Sequence, residues 1–471
     1  MSFVLKHAGP VGLPILAASN HARGCLVAEG CPEAQNLLES RKTFFGRLDL
    51  LRKAGLSEQI ALSLAQLRTG NDFTYLARTC GIPSGDAARL DAMLENQVFQ
   101  LMGAGALPTS SEQERAAVTA GKVATSRIFL PERMGGLGLK SIYLTAPAAM
   151  ATSWHFCLQP LLRILGLPSP VALECASLIA KLFLPQSSSV IRSHFGDETV
   201  SVGDHDLNFT QHDLAYAPLA AASKVSLDMA TSDSSLAASI RNASGPGAGA
   251  WLHVPQRSCN RLLGAQFRLG IRKRLHLGMP GLVGTCRHRR PDGTCCNVAL
   301  DSKGVHPTSC PIGGWLVRRH NAIVDILANW ASQYCDCTCF KEQVMPGASD
   351  GHNEARMDLI IYSGHVAGGL HIDVTVVSAL SVEALAKGSA LNDGVAADLA
   401  TSRKERKYSG CEVYAFPVEE HGRFGKQAST VIRMLAPQTA AERSCAIGAL
   451  YQDIACSVQR SNADAILAAM G

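Results

Sequence analysis

Between positions 286 and 310 the chain places Cys286, Cys296, His306 and Cys310, separated by nine, nine and three residues. No other stretch restricts the fold as strongly, because four thiol and imidazole donors on one ion would tie the intervening loops together whatever packs around them. His306 and Cys310 can meet an ion from a single turn. The longer gaps make loops typical of a structural zinc site, and Pro291, Gly293, Gly304 and Pro307 supply their turns. Two substitutions within the set stay open, Cys295 for Cys296 and His288 for Cys286. The pattern lacks a Cys-x2-Cys pair, and ordinary buried cysteines are the competing reading. Cys335, Cys337 and Cys339 stand at alternate positions. On a strand they would share one face, which favours core packing over a second metal site.

Sixteen cysteines in 471 residues is too sparse for a small secreted disulfide scaffold. The most apolar region, Leu158 to Leu184, is broken by Arg163, Pro168, Pro170, Glu174 and Lys181, and so is no membrane span. Lys6, His7 and several Gly and Pro residues make Met1 to Ser19 a poor signal peptide. The expectation is a soluble intracellular protein with reduced thiols, no membrane partner and two to four domains. The 47% apolar content is enough for real cores.

Charge is unevenly spread. The whole chain has a net charge of +5, yet Arg257 to Glu342 alone holds 13 Lys or Arg against 5 Asp or Glu. This surplus overlaps the cysteine cluster and precedes a set of acids, so a nucleic-acid surface is expected over a merely solvated basic face. The candidate phosphate contacts are Arg268, Arg272, Lys273, Arg274, Arg287, Arg289 and Arg290, followed by Arg318, Arg319, His320 and Asn321.

Periodicity divides the rest. Residues 1–150 read as helical, with Leu48, Leu50, Leu51, Ile60, Leu62, Leu64 and Leu67 at near-helical spacing, Ser57 as an N-cap and a helix from Asp86 to Met102. Met134 to Gly138 is a Gly-rich turn. Residues 145–240 read as helices with loose connectors, and Asn242 to Ala250, mostly Gly, Ala and Ser, as a linker. A helix over Trp315–Trp330 is followed by strands over Phe340–Met345, Leu359–Tyr362 and His371–Val377. A helix over Asp393–Lys407, a strand from Cys411 to Phe416 ending at Pro417 and a helical tail from Ala440 to Met470 complete the pattern. The expected domains are therefore 1–150, 151–250, 251–314, 315–436 and 437–471.

Asp358 opens one expected strand and Asp373 lies inside the next. A hairpin joining these strands would set the two carboxylates at one end of a sheet, where hard oxygen donors and a backbone carbonyl suit Mg²⁺. An acid within the apolar His371–Val377 strand is costly unless paired or metal-bound. Glu342, Lys404 and Lys407 are further candidates, a lysine serving to orient water or neutralise a phosphate. The ordinary alternative is that Asp358 ends a turn and Asp373 pairs with a Lys or Arg.

The ordered string Leu300-Asp301, Gly304, His306, Cys310, Arg318-Arg319-His320-Asn321, Glu342, Arg356-Met357-Asp358, Ile372-Asp373-Val374-Thr375-Val376 and Lys404 to Tyr408 resembles the carboxy-terminal region of non-LTR retrotransposon proteins. In those proteins a Cys-Cys-His-Cys zinc motif precedes a restriction-like endonuclease of the PD-(D/E)XK class. The resemblance covers roughly residues 286–425. It implies that Asp358 stands for the Asp of the Pro-Asp motif, with Met357 in the place of Pro, and that Asp373 is the second acid. Thr375 stands where many such enzymes carry Lys, and Lys404 or Lys407 matches a lysine supplied from a helix further along the chain. Glu342 matches an acid on the preceding element, Tyr408 a tyrosine after the lysine motif, and Arg319, His320 and Asn321 an Arg-His-Asn motif.

Residues 1–150 are similar to the region immediately after a reverse-transcriptase palm, on Gly12-Leu13-Pro14-Ile15, the helix around Leu48 to Arg52, Leu130-Pro131 and Gly135-Gly136-Leu137-Gly138-Leu139. No Tyr-x-Asp-Asp type turn occurs, and Phe195-Gly196-Asp197-Glu198 is out of place for one. The implied protein is a truncated element without polymerase activity. It has a helical thumb-like region, a small zinc-binding module and an α/β restriction-endonuclease-like domain with a mixed sheet flanked by helices. The implied activity is Mg-dependent nicking of target DNA to leave a 3′-hydroxyl. Structural Zn, DNA and element RNA as partners, and a nuclear location are also implied by the resemblance. The rival expectation is a catalytically inactive remnant that binds nucleic acid through a zinc-containing module.

Overall fold

The structure, a computed structural model, describes residues 32–79, 84–101, 121–146, 211–349, 354–364, 366–408 and 411–471, with isolated positions between them. Gly12 to Ile15, Phe195 to Glu198 and most of the expected helices of 145–240 lie outside the described residues. Two compact units emerge, one drawn from Met1–Gly55, Leu64–Gln100 and Leu139–Val225, the other from Leu56–Ser63, Leu101–Gly138 and Ser226–Gly471. This differs from the five expected domains. The segments 251–314, 315–436 and 437–471 share one unit, and 1–150 is divided between both.

The first unit is helical among its described residues. Leu37, Phe73, Ala77, Leu90, Ile142 and Ala146 form its core. The buried Arg41 guanidinium grips Asp72 through Nε (2.9 Å) and Nη2 (2.8 Å). The Asp91 carboxylate accepts from the Ile142 and Tyr143 amides and the Ser141 hydroxyl, satisfying the free donors of a helix start.

The second unit holds the helices α1 (Gly264–Arg274), α2 (Val305–Ser309), α3 (Trp315–Tyr334), α4 (Val395–Lys407), α5 (Lys426–Leu435) and α6 (Ala440–Met470). Its sheet has the order β1 (Thr338–Ser349), β2 (Glu354–Ser363), β3 (Val366–Val377), β4 (Tyr414–Glu419). The first three strands are antiparallel neighbours and β4 joins β3 in parallel, so the expected mixed sheet flanked by helices is present. Period-two alternation on β3 turns Leu370, Ile372 and Val374 to the main core and leaves His371, Asp373 and Thr375 on the other side. Ile323, Val324 and Leu327 of α3 and Leu450 and Ile454 of α6 complete that core. The thiols of Cys335, Cys337 and Cys339 join it, as core packing predicts.

Helix α6 is the spine of this unit. Thr439 caps it by accepting from the Glu442 amide, and its hydroxyl donates back to that glutamate. Its 31 residues span about 46 Å, and it packs on α1, α2 and α3. Ala446, Ala449, Ala455, Ala463, Ala465 and Ala469 are buried along it, small enough to admit close neighbours.

Two expectations are corrected here. Asn242 to Ala250 is no linker. Asn242, Ala243 and Ala248 are buried, and a Cβ on Gly247 (φ 81°) would stand 2.6 Å from the Phe424 ring and 2.7 Å from the Gly422 carbonyl. Its side-chain-poor composition serves close backbone approach. The last strand does not end at Pro417 but runs through it to Glu419. Because β4 is a sheet edge, one side of it needs no amide donor.

Candidate functional site

The region around Cys286 is a two-bridge hairpin. Thr285 faces Ala299 and Arg289 faces Cys295, with a turn at Gly293 (φ 83°) closed by the Asp292 carboxylate on the Thr294 amide (2.8 Å). Asn297, at φ 60°, donates back to the Cys286 carbonyl (3.0 Å). The Asp301 carboxylate accepts from the Lys303, Val305 and His306 amides at 2.7–3.0 Å and so fixes the turn α2, which presents His306 and Cys310. The ligand atoms of Cys286, Cys296, His306 and Cys310 all lie within 4.8 Å of one another. Cys310 Sγ is 3.7 Å from Cys296 Sγ, and Cys296 Sγ is 3.4 Å from His306 Nε2. Tetrahedral zinc needs about 3.8 Å between two sulfurs and about 3.5 Å between sulfur and nitrogen, given Zn–S near 2.3 Å and Zn–N near 2.0 Å. The set can hold a metal ion and is compatible with zinc.

The open alternatives are resolved by geometry. His288 Nε2 meets the Ala465 carbonyl at 2.8 Å, so that ring serves α6, and Cys295 is not in the set. Burial raises the Cys310 thiol to about 12 and also raises Cys286, whereas the Val298 amide leads the effects that lower Cys296. Metal binding must therefore expel protons from buried thiols.

A second constellation sits where β2 meets β3. Continuing the register Leu359↔Ile372 by one residue sets Asp358 beside Asp373, and their carboxyl groups lie within hydrogen-bonding reach. Asp358 Oδ2 accepts from the Val374 amide (2.7 Å), and its Oδ1 faces His320 Nε2 (3.4 Å). Burial pushes the Asp358 carboxyl up, but His320 and the Val374 amide outweigh it and hold it below the usual range. The same contact raises His320 against its own burial. Asp373 is buried; its Oδ1 meets Lys404 Nζ at 2.6 Å and its Oδ2 accepts from the Tyr408 hydroxyl at 2.7 Å. Residues from α3, β2, β3 and the end of α4 thus converge on one point.

Other expected site residues lie elsewhere. Lys407 rests over the Tyr408 ring at 4.7 Å, which leaves Lys404 as the lysine on the acids. Glu342, at φ 55°, is exposed and faces Arg356 at 3.5 Å. Among the described residues, Cys286, Cys296, His306 and Cys310 are the one gathering of three or more Cys, His, Asp or Glu donors. Asp358 and Asp373 with His320 do not form such a gathering.

The basic stretch is largely corrected. Arg274 is fully buried and donates to the Glu132, Gly136 and Ala248 carbonyls. Lys273 is buried 3.3 Å from Glu420, and buried Arg319 donates to Asn462 Oδ1 (2.5 Å). Arg272 donates to the Gly278 carbonyl and Arg268 to Glu58. A surplus counted along the sequence does not distinguish such internal ties from solvent-facing charge. Arg287, Arg289 and Arg290 on the hairpin, Arg318 and Asn321 are exposed. Arg318 lies over the Trp315 ring at 4.1 Å. His320 belongs with Asp358 rather than with this surface, a role for which its place in the Arg-His-Asn string was the available signal. Among the described residues no helix is long and apolar enough to cross a membrane. No protein-family model and no curated protein matches the chain.

Proposed function

We propose that the chain is a metal-dependent DNA endonuclease of retrotransposon origin, with a restriction-endonuclease-like domain and a structural zinc module. The observation that carries this reading is the convergence of His320, Asp358, Asp373, Lys404 and Tyr408, from four separate elements, on one point of the sheet. The paired carboxylates offer the hard oxygens that Mg²⁺ prefers. Bound there, Mg²⁺ would polarise a phosphodiester and lower the pKa of an attacking water.

The chain's own groups have separable tasks. Tyr408 holds Asp373 by one oxygen, and His320 with the Val374 amide holds Asp358. The Lys404 ammonium, one quarter exposed, can turn from Asp373 toward a phosphate or a water. A cation on Asp373 Oδ1 shares that oxygen with Lys404 or displaces it. The exposed arginines of the hairpin and Arg318 would meet phosphates, with affinity falling steeply as salt rises. DNA, with element RNA as a second partner, and a nuclear location belong to the same proposal.

One observation favours the rival reading of an inactive, zinc-containing nucleic-acid-binding protein. Both Asp373 oxygens are already satisfied, as in an ordinary buried ion pair. Supercoiled plasmid incubated with the purified chain decides between them. The proposal expects relaxed circles with 3′-hydroxyl ends in Mg²⁺ and none in EDTA. Plasmid that is bound but uncut in Mg²⁺ establishes the rival.

A further inference from the structure

The helix Ser234–Asn242 turns a polar stripe inward: Ser235, Ser239 and Asn242 share one face at i, i+4 and i+7. Ser235 Oγ meets His276 Nε2 at 3.4 Å, and Asn242 Nδ2 donates to Glu420 Oε1 at 3.2 Å. Arg127 reaches the same place, its Nη2 donating to the Gly135 carbonyl at 2.7 Å. A Cβ on Gly135 would lie 3.4 Å from that nitrogen and 3.0 Å from the Ile240 carbonyl. Lys273 stands 3.3 Å from Glu420, and His421 is the next residue in the chain. None of these groups except Ser235 is more than 4% exposed.

Two features of this nexus are unusual. Arg127 Nη1, Ser239 Oγ, Asn242 Oδ1 and both ring nitrogens of His421 are buried without a protein hydrogen-bond partner. Buried polar groups rarely go unmatched. The charges do not balance either: Arg127, Lys273 and Arg274 stand against two carboxylates, Glu420 beside Lys273 and Glu132 near Arg274, and Glu132 also pairs with His253. Arg274 is satisfied by three carbonyls, but a carbonyl dipole does not cancel a full charge. Burial and the surrounding cations hold His421 well below its usual range, so the ring is neutral at pH 7 and offers one N–H.

We propose that this nexus binds one small oxyanion of the phosphate or sulfate class as an internal counter-ion, held by Arg127 Nη1, the Ser239 hydroxyl and the His421 ring N–H. Arg127, Lys273 and Arg274 supply the positive field, and Asn242 keeps its amide nitrogen on Glu420. The burial of every donor excludes the phosphate of a nucleic-acid strand, so the occupant is a free anion enclosed as the unit folds. This site is independent of Asp358 and Asp373.

The test needs no variant at first. Full-length chain is purified without added phosphate or sulfate, desalted and denatured, and the released anions are measured by ion chromatography. About one equivalent per chain is expected. After unfolding and refolding in chloride, 5 mM phosphate should raise Tm by roughly 3 °C over chloride at equal ionic strength. His421→Phe should lower the released anion to background; if it does not fold, Ser239→Ala is the second variant. A folded wild type that releases neither anion and melts alike in phosphate and chloride overturns the proposal, leaving water as the occupant. So does equal anion release from wild type and a folded variant.

Discussion

The sulfur centre and the carboxylate centre lie in the same unit but are built in opposite ways. Cys286, Cys296, His306 and Cys310 come from 25 consecutive residues, and the contacts among their donor atoms are with one another. Asp358 and Asp373 come from different strands, and their oxygens each meet a proton donor of the protein, from His320, Val374, Lys404 or Tyr408. An ion would join the sulfur and imidazole donors directly, beyond the hairpin and the Asp301 turn that place them. The acids are neutralised from within, so the fold should stand without a cation there.

Metal removal should break this symmetry most strongly. Chelation, or Cys310→Ser, should strip the zinc this set is expected to hold and destabilise the unit on the order of 5 kcal/mol. Adding or removing Mg²⁺ should leave Tm unchanged within about 1 °C. Metal analysis combined with thermal melts reads both, and a melt indifferent to loss of zinc would contradict the contrast. The reach of the damage is set by α6. Its Ala469 packs with Cys286 and Cys310, its carbonyls receive the Arg287 amide and His288, and its other end lies in the sheet core.

The arginines should separate next. Arg274→Met takes the side-chain donor from three carbonyls, two of them buried, and should cost about 3 kcal/mol. Arg290→Met, on the exposed hairpin, should cost under about 0.5 kcal/mol yet lower the salt slope of DNA binding by about one. Denaturant melts and salt titrations check the pair, and equal destabilisation would show that burial does not divide them.

Acidification should weaken the second unit. His276 is lowered to about 3 and His421 is held well below its usual range, both chiefly by burial. Both are neutral in the fold but take up protons when unfolded below pH 6.5, so their contribution is lost as pH falls. Glu419 acts oppositely: burial raises it to about 7, so its contribution is full below pH 4.5 and lost as pH rises through 7. Two groups against one leave a net loss of stability as pH falls from 6.5 to 4.5. A denaturation midpoint equal or higher at pH 5 than at pH 7 contradicts this.

Legibility in the sequence divides along the same line. The sulfur set could be read because ligand spacing is local, and strand cores such as Leu359–Tyr362 and His371–Val377 because alternation is local. The turn of His288 toward Ala465 could not, since its partner lies 177 residues further on. Charge misled for the same reason: nothing near Arg274 in sequence marks the three carbonyls that take it inward. The acid pair was legible as residues, and Lys404 could be chosen over Lys407 only once the helix face was known.

The most direct measurement is single-turnover nicking of supercoiled plasmid in Mg²⁺ by wild type, Asp373→Ala, Lys404→Ala and Lys407→Ala. Loss of roughly 100-fold or more is expected for the first two variants and under about 3-fold for Lys407→Ala, with all four chains folded and their zinc content preserved. Equal rates for wild type and a folded Asp373→Ala would contradict the assignment of the carboxylate centre as the site of chemistry.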